Sequence, residues 1–309
     1  MPNKILINKK ISEFKKKIEV SSDKSLSIRA ILFASQAVGK SKLSNLLESE
    51  DVINTLKAVK KLGINYEKKG KTYEIEGFGL NGFNPKNNLI INAGNSGTLG
   101  RLILSLLVRS EKKIKLIGDK SLSKRDFSRV TVPLRNFGVN IESKGNCLPV
   151  EIQGSNFLRP INYYENKGSA QCKSAIMLAA LNTRGITKIK AKKSRNHTEL
   201  FFKFLKIPIK IINKKKYDII EINGLHQYDC FNYIIPGDIS SSAFFIVLTL
   251  LSKNSELIIK KVNINKSRIG IISILNKMNA NIIFKNIKTY KGEKTADIYV
   301  KSANKLKSI

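Results

Sequence analysis

The stretch NAGNSGTLGRLILSLL, residues Asn92–Leu107, joins two unlike halves. The first is small and polar, with Gly94, Ser96, Gly97 and Thr98; the second is an apolar helix-former interrupted by Arg101. The first amides of a helix lack partners within it, and the helix dipole puts partial positive charge at that end. Glycine lets a ligand approach the backbone, hydroxyls add short donors, and arginine supplies full charge. Such a helix mouth reads as a cradle for a phosphate or carboxylate. A single GNSGT equally fits an ordinary turn and cap, so recurrence carries the weight.

The pattern does recur. DKSLSIRAILFASQA from Asp23 and KGSAQCKSAIMLAAL from Lys167 also open an apolar helix with a short, small and polar segment. The cations Arg29, Arg101 and Lys173 stand 72 residues apart. A fourth opening, PGDISSSAFFIVLTLL from Pro236, has Ala243 and Phe244 where a cation would sit. Each opening leads through a strand to a second helix, as in SEDVINTLKAVKKL from Ser49, and then to further strands. The repeat therefore reads as strand, helix, strand, helix, strand, strand, about 70 residues long, and its copies bury a shared face only by packing together. Three copies fill residues 21–236 as one complete domain. Residues 1–20 with 237–309 form a partial second domain of about one repeat, and Pro236-Gly237 marks the crossover.

At 309 residues and 42% hydrophobic the chain fills real cores. The apolar run AFFIVLTLL, 243–251, is too short for a membrane span, and MPNKILINKK lacks the layout of a secretion signal. Three widely spaced cysteines, Cys147, Cys172 and Cys230, read as reduced thiols in a cytoplasmic chain. The net charge of +33 raises a nucleic-acid reading. Yet Lys, Asn and Ile are abundant everywhere, as AT-rich coding would produce, with no basic arm or aromatic platform. The charge reads as composition drift plus anionic small substrates, with no nucleic acid and no membrane. No metal cluster, P-loop or dinucleotide fingerprint occurs, so no cofactor is expected. His197 reads as a helix cap and His226 carries no signal.

SSDKSLSIRA, AGNSGTLGRL, SLSKRDFSRVTVPLRNFG, GSAQCKSAIMLAAL, SRNHTE and IPGDISSSAFF, in this order and spacing, resemble the 5-enolpyruvylshikimate-3-phosphate synthases. The resemblance implies an α/β protein of two domains, each an inside-out barrel of three βαβαββ repeats, with the second domain incomplete here. It implies transfer of the enolpyruvyl group of phosphoenolpyruvate to the 5-hydroxyl of shikimate 3-phosphate, on the route to chorismate and aromatic amino acids. By the same carry-over, Lys24 is catalytic and touches both substrates. Ser25, Arg29, Ser169, Ala170, Gln171 and Arg195 hold shikimate 3-phosphate; Asn95, Gly97, Thr98, Arg125 and Gln171 hold phosphoenolpyruvate. A residue bulkier than Gly97 would crowd the inhibitor glyphosate.

The family continues beyond this pattern with an acidic segment and a Lys-Glu-Ser-Asp-Arg segment that bear its proton-moving groups. Neither occurs here, so the expectation is a fragment, one half of a split enzyme completed by a second polypeptide and then monomeric, or a non-catalytic remnant that binds substrate. The related transferase acting on UDP-N-acetylglucosamine has a different opening motif and a reactive loop cysteine. An RNA-binding or RNA-processing protein built on the same repeat is the alternative from another class.

Overall fold

The computed structural model describes residues 11–309 and divides into two compact units, Ser22–Ile235 and the remainder. Along the chain run β1 (Lys15–Ile18), α1 (Lys24–Ser35), β2 (Val38–Ser44), α2 (Glu50–Lys61), β3 (Asn65–Lys69) and β4 (Thr72–Phe78). Next come β5 (Leu89–Asn92), α3 (Gly97–Leu106), β6 (Ile114–Ile117), α4 (Ser128–Asn136), β7 (Asn140–Ser143) and β8 (Val150–Gln153). The third set is β9 (Asn162–Glu165), α5 (Ala170–Leu181), β10 (Ile186–Lys192), α6 (His197–Phe204), β11 (Ile209–Asn213) and β12 (Tyr217–Asn223). The fourth is β13 (Asn232–Ile234), α7 (Ile239–Leu251), β14 (Glu256–Asn263), α8 (Gly270–Lys277), β15 (Asn281–Tyr290) and β16 (Glu293–Lys301).

Strand, helix, strand, helix, strand, strand therefore recurs four times, and each sheet has the same topology. In β5-β6-β8-β7 and β9-β10-β12-β11 the first two strands run parallel across a helical crossover, and the other pairings are antiparallel. The remaining two sheets exchange their first strands. β13 precedes α7 but pairs in parallel with β2, Tyr233 opposite Leu43; β1 precedes α1 but pairs with β14, Lys17 opposite Ile258. Each body is thus finished by a strand remote in sequence.

The helices that open the repeats owe their starts to side-chain caps. The carboxylate of Asp23 accepts from Leu26 N at 2.9 Å, and the hydroxyls of Ser96 and Ser169 accept from Leu99 N and Cys172 N at 3.3 and 3.2 Å. Such a cap satisfies an otherwise orphaned amide. Residues 26–35 of α1 and 172–181 of α5 are buried without a break, which an apolar-all-round helix requires.

Their carboxyl ends are closed by the last strand of the same repeat. Gly79 N donates to Ala37 O, Ser155 N to Val108 O, and Leu225 N to Leu181 O, at 3.0, 2.9 and 2.8 Å. The strand passes so close that glycine stands at each crossing. A Cβ on Gly77, Gly154 or Gly224 would lie 2.4, 2.4 or 1.8 Å from a helix-end carbonyl oxygen.

In the other body, Ile246, Leu250, Leu257, Ile259, Ile298 and Val300 form the centre of the core. There α7 is more apolar than α1, with no charged residue, but only one face is covered: Phe244 is 79% exposed, Leu251 71% and Phe245 42%.

Sheet surfaces carry paired charges. Glu151 takes Lys113 and Lys115 at 2.9 and 3.0 Å, Glu74 takes Lys69 at 3.0 Å, and Glu256 takes Lys301 at 2.9 Å. Hydrogen bonds from those lysines hold the three carboxyls below their usual range. A depressed native pKa contributes stability above the unfolded value, ~4.3, and loses it as the pH falls through the native one. Protonating the 23 acidic residues also leaves 56 Lys and Arg cations unopposed. The urea midpoint is therefore expected to drop between pH 5 and pH 3, and less steeply in 1 M salt, which screens the repulsion.

Candidate active site

Lys24 is the first residue of α1, and its Nζ lies 2.8 Å from Asp51 in the first turn of α2. Ser25, beside it, uses its carbonyl to accept from Arg29 Nη1 at 3.1 Å. Arg29 is only 4% exposed: its Nε donates to Thr198 Oγ1 at 3.1 Å and its Nη2 to Ser174 Oγ at 3.3 Å, while those two hydroxyls bond each other at 2.7 Å. This seam joins α1, α5 and α6. Arg195 is exposed in the loop before α6.

At the neighbouring mouth, Gly97 is the first residue of α3 and Thr98 the second. Thr98 Oγ1 accepts from Gln171 Nε2 at 3.1 Å, and Gln171 Oε1 accepts from Arg101 Nη1 at 2.6 Å. Arg101 Nη2 reaches Asp126 O at 3.2 Å, with the guanidinium 5.1 Å over the Phe127 ring. Asn95 bridges two charges, donating to Asp119 at 2.6 Å and accepting from Arg125 Nη2 at 3.1 Å. The mouth of α5 supplies Ser169 as cap, Ala170 as first residue and Gln171 as second. Helix α5 is the hub, with Gln171 tied to α3 and Ser174 to α1 and α6.

The electrostatics suit an anion. Burial first, then the charges of Arg129 and Arg125, lower the Arg101 pKa. Cations held this close repel one another, and a bound anion relieves that repulsion. The nearby carboxylates are committed: the hydrogen bond from Asn95 and the Leu122 amide hold Asp119 below its usual range, and hydrogen bonding by Ser128 does the same for Asp126. Burial pushes the Cys172 thiol up to about 12, which leaves it protonated and unreactive.

Two sequence expectations change. Lys173 is no mouth cation: it is 0% exposed and pairs with Glu199. His197 is the first helical residue of α6, buried, and the cap position belongs to Asn196. The spacing gave no sign of Asp51, Ser174 or Thr198, whose partners lie on other repeats or helices. Among the described residues no cluster of His, Cys, Asp and Glu could hold a metal, and no helix is long and apolar enough to cross a membrane.

The family model for EPSP synthase (3-phosphoshikimate 1-carboxyvinyltransferase) matches residues 8–308. The chain belongs to the EPSP synthase family. The 3-phosphoshikimate 1-carboxyvinyltransferase of Streptococcus pyogenes serotype M1 is 39% identical over 290 residues, 93% of this chain and 66% of the relative. That of serotype M2 strain MGAS10270 is 39% identical over 273 residues, 87% and 62% respectively. A solved EPSP synthase from Acinetobacter baumannii superposes with a TM-score of 0.86 at 35% identity, over 96% of this chain and 66% of that one. The chain thus spans just under two thirds of the length of these EPSP synthases.

Proposed function

We propose that the chain binds shikimate 3-phosphate and phosphoenolpyruvate at the mouths of α1, α3 and α5, for enolpyruvyl transfer to the 5-hydroxyl. The observation that carries this reading is the bond chain Thr98–Gln171–Arg101, which couples two helix mouths suited to two anionic ligands. In the reaction the 5-hydroxyl gives up its proton as its oxygen bonds to C2 of phosphoenolpyruvate, and C3 takes a proton. The adduct then loses phosphate from C2 and a proton from C3. Arg125, Asn95 and the α3 mouth hold phosphoenolpyruvate, with Gln171 between the substrates. Ser25, Arg29, Ser169, Ala170 and Arg195 hold shikimate 3-phosphate, and Lys24 faces both.

The bare side of α7 is the second element of the proposal. In the larger body the matching helices are enclosed by one another, whereas Phe244 and Leu251 are not. A polypeptide of two further βαβαββ repeats, matching the remaining third of the relatives' length, covers that face and brings the other proton-moving groups. The assembly is then a monomer or a paired split enzyme.

Isothermal titration with shikimate 3-phosphate tests the binding reading on the 309-residue chain. Saturable, stoichiometric binding is expected, and no heat at millimolar ligand overturns it. A Cβ on Gly97 would stand 2.9 Å from Arg101 Nη1 and 3.4 Å from Arg125 Nη1. Gly97→Ala is therefore expected to weaken phosphoenolpyruvate binding about ten-fold, or ~1.4 kcal/mol, with shikimate 3-phosphate affinity unchanged.

A further inference from the structure

Lys173 and Glu199 form a buried ion pair with no part in the chemistry above. Lys173 Nζ and Glu199 Oε1 are 2.5 Å apart, the residues are 0% and 4% exposed, and Glu199 Oε2 has no hydrogen-bond partner. Burying two charges costs solvation that their attraction offsets only in part, so such a pair is weak evidence for stability. Its value lies in direction. Helix α6 is eight residues long and buries Phe201 and Phe202, an apolar contact that tolerates sliding. Its polar ties to α1 and α5 lie in its first turn, the Thr198 hydroxyl and this pair. The ion pair does not tolerate sliding.

We propose that Lys173 and Glu199 are positioning residues for the anionic ligand: the pair fixes the opening turn of α6 against α5 and so sets where Arg195 stands relative to Ser169 and Ala170. Lys173 follows Gln171 by two positions, and Glu199 follows Arg195 by four. Next to the pair, Ser174 and Thr198 bond each other and Arg29. One seam thereby aligns Arg29, Arg195 and the opening of α5, all assigned to shikimate 3-phosphate. The inference rests on that assignment.

The test is the double variant K173M/E199L, which keeps side-chain volume and removes both charges, a change that usually preserves folding. Its melting temperature is expected to equal or exceed that of the unchanged chain. Affinity for shikimate 3-phosphate is expected to fall about ten-fold or more, as displaced binding groups do, while affinity for shikimate, which lacks the phosphate, stays the same. Amide exchange over residues 196–200 is expected to speed up with that of α5 unchanged. Retained affinity together with unchanged exchange overturns the proposal. A lower melting temperature with both ligands weakened equally also overturns it, since the pair would then serve stability alone. If the unchanged chain binds neither ligand, the functional reading fails, and the exchange over 196–200 decides on the strut by itself.

Discussion

Gly224→Ala is expected to cost more than ~4 kcal/mol, a large share of the ~5–15 kcal/mol that keeps a domain folded. The added Cβ would lie 1.8 Å from Thr183 O and 2.3 Å from Ala180 O, both backbone atoms at the carboxyl end of α5. No rotamer change relieves that contact, so β12 must withdraw. Withdrawal breaks Gly224 N→Gly185 O and Leu225 N→Leu181 O, at 3.1 and 2.8 Å. Each buried group left unpaired costs ~1–3 kcal/mol. It also opens the packing over α5, where Ile220 and Ile222 are fully buried. Gly270→Ala is the control: nothing lies within 4 Å of its Cβ, and the residue begins α8. Alanine there is expected to be neutral or stabilising by up to ~1 kcal/mol. Urea unfolding of the two variants checks both halves of the statement.

Turnover is the second large effect. The 309-residue chain alone is expected to release phosphate from phosphoenolpyruvate and shikimate 3-phosphate at least ~10²–10⁴-fold more slowly than the same chain with a polypeptide matching the remaining third of its relatives. That range is what a missing acid–base group costs. In the described site, Asp119 and Asp126 are held below their usual range by donors that favour the charged form, which makes them weak bases. Asp51 is engaged by Lys24 at 2.8 Å. A phosphate-release assay, with and without the added polypeptide, reads the difference. Equal rates would mean that the 309 residues already hold the proton-moving groups. Covering Phe244 and Leu251 should also slow aggregation of the smaller body, which light scattering follows in the same samples.

The repeats and the helix mouths were legible in the sequence because each is local. Asp23, Ser96 and Ser169 stand where a cap must stand, directly before an apolar run. The role of Lys173 was not legible, for a geometrical reason. The helices begin at Lys24, Gly97 and Ala170, so the cations 72 residues apart fall on the sixth, fifth and fourth helical positions. One position is ~100° of rotation, so equal spacing in sequence put Lys173 on a different face, against α6. The exchange of β1 and β13 was equally hidden. KKKI and NYI carry too little alternation to name a partner sheet. The +33 charge likewise did not reveal that many of its lysines pair with carboxylates across strands.

That exchange of strands sets an order of events during synthesis. β2 emerges early, yet its parallel neighbour β13 is made 188 residues after the end of β2, which Ser44 and Asn232 mark. β1 waits longer still for β14. A ribosome therefore releases the second and third sheets as finished, self-contained pieces while the first sheet keeps an open edge. The first sheet is sealed only after the second and third, and β1, the earliest strand, is paired later still. A chaperone that shields unpaired strands has most to do on β2, from the time it leaves the exit tunnel until Ile234 follows it.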